Sequence, residues 1–200
     1  MRLGGDELEA AGVSDDEGLD DVLDLVVRLR VGERSALAEA YDRHHETVRG
    51  FARKLLGDAD AAEDLVHDAF LALPGAVARF EGRSSLRTFL LGIAVRLCHK
   101  HIRAATRLRS ARDRIARREV AAEVPLPSAA GQRAELADAL ARALDTLAVD
   151  QRVAFTLCVL DERTSREAAA ILGVNEVTVR TRLTRAREKL RAHLTARGMP

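Results

Sequence analysis

Residues 164–190 read TSREAAAILGVNEVTVRTRLTRAREKL. Thr164 followed three residues later by Glu167 is a capping box: the hydroxyl takes a backbone N–H and the carboxylate reaches back. A short helix is expected from Arg166 to Leu172, stopped at Gly173, with Asn175 placed to cap a second helix. Two helices joined by a short glycine-containing turn form a helix-turn-helix, and its second helix enters the DNA major groove. Counting along that helix separates its faces. Val179, Leu183, Ala186 and Leu190 recur at helical spacing and should pack inward. Arg180, Thr181, Thr184 and Arg185 fall on the opposite side. Arginine suits bidentate contact with guanine, and threonine offers a methyl and a hydroxyl to base edges. Arg182, Arg187, Lys189 and Arg191 can take phosphates, which position a domain without reading sequence.

Upstream, Leu136, Leu140, Ala143, Leu144 and Leu147 form one apolar stripe, and Val153, Phe155, Leu157, Val159 and Leu160 lie in the next helix. This helical unit spans 133–197. Residues 119–132 (EVAAEVPLPSAAGQ) read as a tether kept extended by Pro125 and Pro127. The linker as a whole is drawn at 109–132, after a helix that turns basic from Lys100 to Arg118. A first helical unit covers 19–108. Its expected helices begin near Leu19, end at Gly32, run from about Ser35 to Leu56, and restart at Asp58. Pro74-Gly75 should stop the third, because proline disfavours helix in the residue before it. A loop from Ala76 to Ser85 follows, with Ser84 or Ser85 capping the long helix after it. The fold class is all-α: two small helical domains joined by a flexible linker.

Composition agrees. Hydrophobic residues make up 47% of the 200, enough for a core, and only four are proline, which leaves long helices unbroken. A net charge of +1 hides an asymmetry: residues 1–24 hold nine acids and one base, so the rest carries +9. A basic body behind an acidic tail (1–18, expected to be disordered) suits a polyanion partner, or simply a solubilising leader. The start lacks the basic-then-apolar pattern of a signal peptide, and no apolar run approaches the roughly 20 residues that span a bilayer. Cys98 and Cys158 have no CxxC partner and read as buried thiols in a reducing, cytoplasmic setting. Cys98, His99 and His101 are too closely spaced on one helix to converge on a metal. Glu63 and Asp64 are adjacent and splay apart, which suits a binding face better than acid–base chemistry. No catalytic constellation, cofactor or metal is expected, and the chain is read as a non-enzyme.

Two stretches of the first unit then carry a resemblance: AAEDLVHDAFLAL (61–73) and FEGRSSLRTFLLGIAVRLCHKHIR (80–103). The chain resembles the extracytoplasmic-function (ECF) type of RNA polymerase sigma factor. Residues 19–103 look like sigma region 2 and 133–195 like region 4, together about four fifths of the chain. The resemblance implies direction of core RNA polymerase to promoters of a specific regulon, with DNA melting and initiation. It places Glu63, Asp64, His67 and Asp68 against the clamp helices of the largest polymerase subunit. It assigns Arg79, Phe80, Arg83, Ser84, Arg87, Phe89, Arg96, Lys100 and Arg103 to the single-stranded −10 element. Arg180, Thr181, Arg182, Thr184, Arg185, Arg187 and Lys189 fall to the −35 duplex. Residues 104–132 would thread toward the active-site and RNA-exit path. The flap of the second-largest subunit and an anti-sigma factor are further implied partners. This chain departs from the usual pattern at His67 (often Gln), Pro74 and Phe89 (often Trp) and Arg96 (often Asn). With no Trp, capture of a single strand would lean on Phe80, Phe89 and arginines.

The residues alone leave two other readings open: a helix-turn-helix regulator whose first unit is a sensor or dimerisation domain, and a helical adaptor that binds protein only. The acidic helix and serine-capped basic loop argue against the former, the clustered groove-facing arginines against the latter.

Overall fold

The computed structural model describes residues 19–118 and 139–195. The acidic segment 1–18, the proline-containing tether and the start of the second unit lie outside the described residues. The described residues are helical, with no strand among them.

Helix α1 (Leu19–Arg30) is followed by α2 (Arg34–Leu56) and α3 (Ala59–Ala76). Leu25, Val26 and Leu29 of α1 and Ala40, Val48, Phe51, Ala52 and Leu55 of α2 are buried at helical spacing. Gly57 ends α2 in a left-handed conformation (φ 64°), its N–H bonded to the Arg53 carbonyl. Asp58 caps α3 by accepting from the Ala61 N–H at 2.9 Å. The expected stop at Pro74 does not occur: α3 runs two residues past it to Ala76 and then tightens into a 3₁₀ turn, Val77–Arg79. A proline this near a helix end removes a single ladder bond, and buried Leu73 and Val77 hold the backbone on course.

Helix α4 (Leu86–Arg118) is the longest element. It runs to Arg118, through the basic end expected from Lys100 onward, and so takes in the first ten residues of the segment drawn as linker. The reason is visible at Arg109, which is buried and fixed by ionic contacts rather than solvated. The second unit contains α5 (residues 139–145), α6 (Val149–Phe155) running into a wide π-type turn (Thr156–Leu160), α7 (Ser165–Leu172) and α8 (Glu176–Thr195). Ala143, Leu144 and Leu147 pack on Ala186 and Leu190 as a small local core. The larger core is shared: Val153, Leu157, Ala168, Ile171 and Val179 belong to the same apolar cluster as Leu55, Leu90, Leu91 and Ala94. The two units therefore close on each other.

Candidate nucleic-acid and polymerase interface

The helix-turn-helix is built from its caps outward. The Glu167 N–H donates to Thr164 Oγ1 at 3.2 Å, and the Thr164 N–H and hydroxyl donate to Glu167 Oε2 at 2.8 and 2.7 Å. These hydrogen bonds hold the Glu167 carboxyl below its ordinary range, with Arg163 and Arg87 adding attraction through space. Gly173 turns the chain at φ 64°, and Asn175 Oδ1 accepts from the Thr178 N–H at 2.7 Å to start α8. Val179, Leu183, Ala186 and Leu190 are all buried, as their spacing required.

The opposite face is an open, shallow groove lined by Val177, Arg180, Thr181, Thr184, Arg185 and Glu188. Arg180 is paired with Glu176 one turn earlier. The Thr181 hydroxyl donates to the Val177 carbonyl at 2.9 Å, which turns its methyl outward. Arg182 reaches Asp150 at 2.8 Å, tying α8 to the start of α6. Arg185, Arg187 and Lys189 are exposed. The face thus presents the guanidinium groups of Arg180 and Arg185 and the side chain of Thr184 on the exposed side of α8.

In the first unit the acidic residues part company. Glu63 pairs with Arg49 and Arg53 of α2 at 2.9 and 3.2 Å. Asp64 and His67 are exposed on the outer face of α3. Asp68 instead crosses to α4, accepting from Lys100 at 3.1 Å and contacting His101 Nε2 at 2.9 Å. The Lys100 bond, with His101 behind it, draws the Asp68 carboxyl below its usual range despite partial burial. Leu71 is 62% exposed, one turn beyond His67, and joins Asp64 and His67 on one face. Sequence reasoning missed it because a leucine inside an apolar run reads as core.

The loop before α4 is braced by Arg30, which donates to the Phe80 carbonyl at 2.5 Å. Ser85 is the cap, accepting from the Thr88 N–H at 3.2 Å, and Gly82 turns at φ 72°. Arg79, Arg83, Arg87, Arg96, Lys100 and Arg103 are exposed, while Ser84 and Phe89 are half-buried. Phe80 is placed differently from the expectation. Its ring is 4% exposed and packs edge-on against Phe89, 5.1 Å between centroids, leaving no open face for a base. Phe89, Arg96, Lys100 and Arg103 form a stripe along one side of α4.

The largest omission from the sequence reading is an ionic cluster. Arg152 is 1% exposed; its guanidinium donates to the Leu55 carbonyl at 2.6 Å, the Leu56 carbonyl at 3.3 Å and Asp145 at 2.5 Å. Arg109 grips Asp145 with two bonds, 2.9 and 2.8 Å, and also reaches the Leu56 carbonyl at 3.1 Å. Burial pushes the Asp145 carboxyl up, but the two arginines outweigh it and hold it below the ordinary range. A signal existed: Val149, Arg152, Val153 and Thr156 share one helix face, so Arg152 sits in an inward stripe.

Cys98 is buried and its thiol is pushed up to about 12 by desolvation; Cys158 is half-buried. Among the described residues no cluster of three or more His, Cys, Asp or Glu could hold a metal ion, and no helix is long and apolar enough to cross a membrane.

Comparison with known proteins agrees with this geometry. The family model for sigma-70 region 2 matches residues 40–108, and that for sigma-70 region 4 matches 137–190. The chain is 34% identical over 182 residues to the ECF RNA polymerase sigma factor SigC of Mycobacterium tuberculosis, covering 91% of this chain and 94% of that one. It is 34% identical over 153 residues to ECF RNA polymerase sigma factor EcfG of Rhodopseudomonas palustris, covering 76% and 81%. Among solved structures it resembles the sigma factor RpoE in complex with the anti-sigma factor NepR from Bartonella quintana. The TM-score is 0.52 at 26% identity, over 79% of this chain and 96% of that one. CnrH in complex with the cytosolic domain of CnrY shares the fold, with TM-score 0.57 at 24% identity over 88% and 97%. The chain belongs to the ECF RNA polymerase sigma factors. It directs transcription initiation at promoters with core polymerase and is not an enzyme.

Proposed function

We propose a division of labour within this sigma factor. The α7–α8 unit reads the −35 duplex: Arg180, Thr181, Thr184 and Arg185 meet base edges, and Arg182, Arg187 and Lys189 meet phosphates. The α3–α4 unit takes core polymerase on Asp64, His67 and Leu71, with Glu63 and Asp68 bracing that face through their ion pairs. The −10 strand runs along Arg79, Arg83, Ser84, Arg87, Phe89, Arg96, Lys100 and Arg103. The units are 19–108 and 133–197, with the segment between them spanning polymerase. The protein works in the cytoplasm, where its polymerase is, and is restrained by an anti-sigma partner, as the complexes of similar sigma factors suggest.

The observation that carries this reading is the outer face of α8, where arginines and threonines stand opposite four buried apolar residues. Its test uses a promoter duplex selected with the intact protein. Arg185→Ala should cost about 1–3 kcal/mol on the preferred −35 sequence and flatten discrimination at one or two bases. Lys189→Ala should weaken all sequences about equally and lower the salt slope by about one unit. Identical behaviour of the two variants across sequences would refute the face assignment.

A further inference from the structure

Val177 is the one large apolar residue of α8 that stands exposed, at 67%. It lies in the first turn of the helix and lines the shallow groove with Arg180, Thr181, Thr184, Arg185 and Glu188. The core gains nothing from it, because Val179, Leu183, Ala186 and Leu190 are the buried residues of α8. Helix stability does not explain it either, since valine is a poorer helix former than alanine or glutamate. Thr181 stands one turn further on. Its hydroxyl is engaged by the Val177 carbonyl at 2.9 Å, so the group it offers the groove is its methyl. β-Carbons four residues apart on a helix are about 5–6 Å from each other, so a methyl group resting over Val177 and Thr181 touches both.

The charges beside this pair leave it to apolar contact. Arg180 is paired through one nitrogen with Glu176, and its remaining donors can still serve a neighbouring base. The Glu176 carboxylate repels phosphates, so the first turn suits base edges rather than the backbone, as the N-terminal residues of a groove-entering helix do. The apolar group that a base pair presents in the major groove is the 5-methyl of thymine. We propose that Val177 and Thr181 together read the 5-methyl of a single thymine in the −35 element, which makes Val177 a specificity-determining residue beside the arginines. This rests on the assignment of α8 to the −35 duplex. A register follows. Arg185 is four residues past Thr181, about 6 Å along the helix axis, and DNA advances about 3.4 Å per base pair. The thymine therefore lies within about three base pairs of the position that Arg185→Ala flattens.

The test uses holoenzyme, formed from the full chain and core polymerase, on a promoter recovered by transcription selection. Each thymine of its −35 block, on either strand, is replaced in turn by deoxyuridine. That removes the methyl and keeps every pairing and groove hydrogen-bonding group. Competition binding against the unmodified promoter reads the penalty. One replacement should weaken wild-type binding about fourfold, the factor that losing one buried methyl gives, and the others much less. Val177→Ala and Thr181→Ser should each shrink that one penalty to below about twofold, the coupling expected of groups in contact. Thr181→Ser removes the methyl alone and keeps the hydroxyl that bonds the Val177 carbonyl. Both positions are exposed, so neither change touches the core, and circular dichroism checks the fold. Lys189→Ala should weaken binding and keep the full penalty. No deoxyuridine-sensitive thymine within about three base pairs of the Arg185 position, or a penalty that survives both substitutions, would overturn the proposal. If Arg185→Ala still flattened discrimination, the −35 assignment of α8 would stand without it. Loss of the Arg185→Ala effect as well would remove the reading beneath it.

Discussion

Asp145 is the residue whose replacement should do the most damage for its size. Its carboxylate neutralises two arginines at once, Arg152 nearly fully buried and Arg109 buried beside it. Asp145→Asn changes no volume but leaves two guanidinium groups facing the same carbonyls without a counter-charge. Removing one partner of a buried pair costs about 3–5 kcal/mol. Arg152→Met is milder by construction. Asp145 keeps its two bonds to Arg109, and the Leu56 carbonyl keeps the Arg109 contact. The Leu55 carbonyl loses its Arg152 bond, for about 1–3 kcal/mol. At this chain length each kcal/mol shifts Tm by about 2–4 °C. Urea and thermal unfolding followed by far-ultraviolet circular dichroism give the ranking. The pH dependence has a fixed sign. A carboxyl whose folded pKa is depressed adds stability that is complete above its unfolded value, about 4, and is lost as pH falls through the folded value. The wild type should therefore lose stability more steeply than Asp145→Asn below about pH 4. Asp145→Asn proving milder than Arg152→Met, or an unchanged acid slope, would refute this account of the cluster.

Two further outcomes are expected. Gly57→Ala and Gly173→Ala both force alanine into a left-handed conformation, for about 1–2 kcal/mol each. Gly57→Ala should be the worse in urea unfolding, because its Cβ would lie 2.9 Å from Ala141 Cβ whereas Gly173 faces open space. Asp64→Arg should weaken binding to purified core polymerase by about 2 kcal/mol or more in an equilibrium titration, since like charges placed across an interface cost several kcal/mol. Unchanged affinity of the folded variant would take Asp64 out of the interface.

What could be read from the sequence follows from which forces are local. Caps, left-handed glycines and the two faces of α8 depend on residues within a turn or two of each other, so Thr164, Glu167, Gly173, Asn175 and Val179 announced them. The passage of α3 beyond Pro74 did not, because buried neighbours outweigh a single lost ladder bond. Arg109 was read as one arginine of the basic end from Lys100 to Arg118, and nothing local says that it turns inward. Its partner Asp145 is 36 residues away and its carbonyl acceptor 53 residues away. Phe80 was read as a free ring for the same reason: only the fold shows Phe89 against it.

The central claim is that this chain gives core polymerase its promoter choice, and transcription in vitro tests it directly. Purified chain and core polymerase are incubated with a library randomised over the −35 and −10 regions, and the transcribed templates are sequenced. The account expects transcripts that depend on the chain and start at templates enriched for two separated sequence blocks. The upstream block should lose definition with Arg185→Ala. Transcription no greater than with core alone, or templates enriched in a single block that binds the chain without initiating, would contradict it.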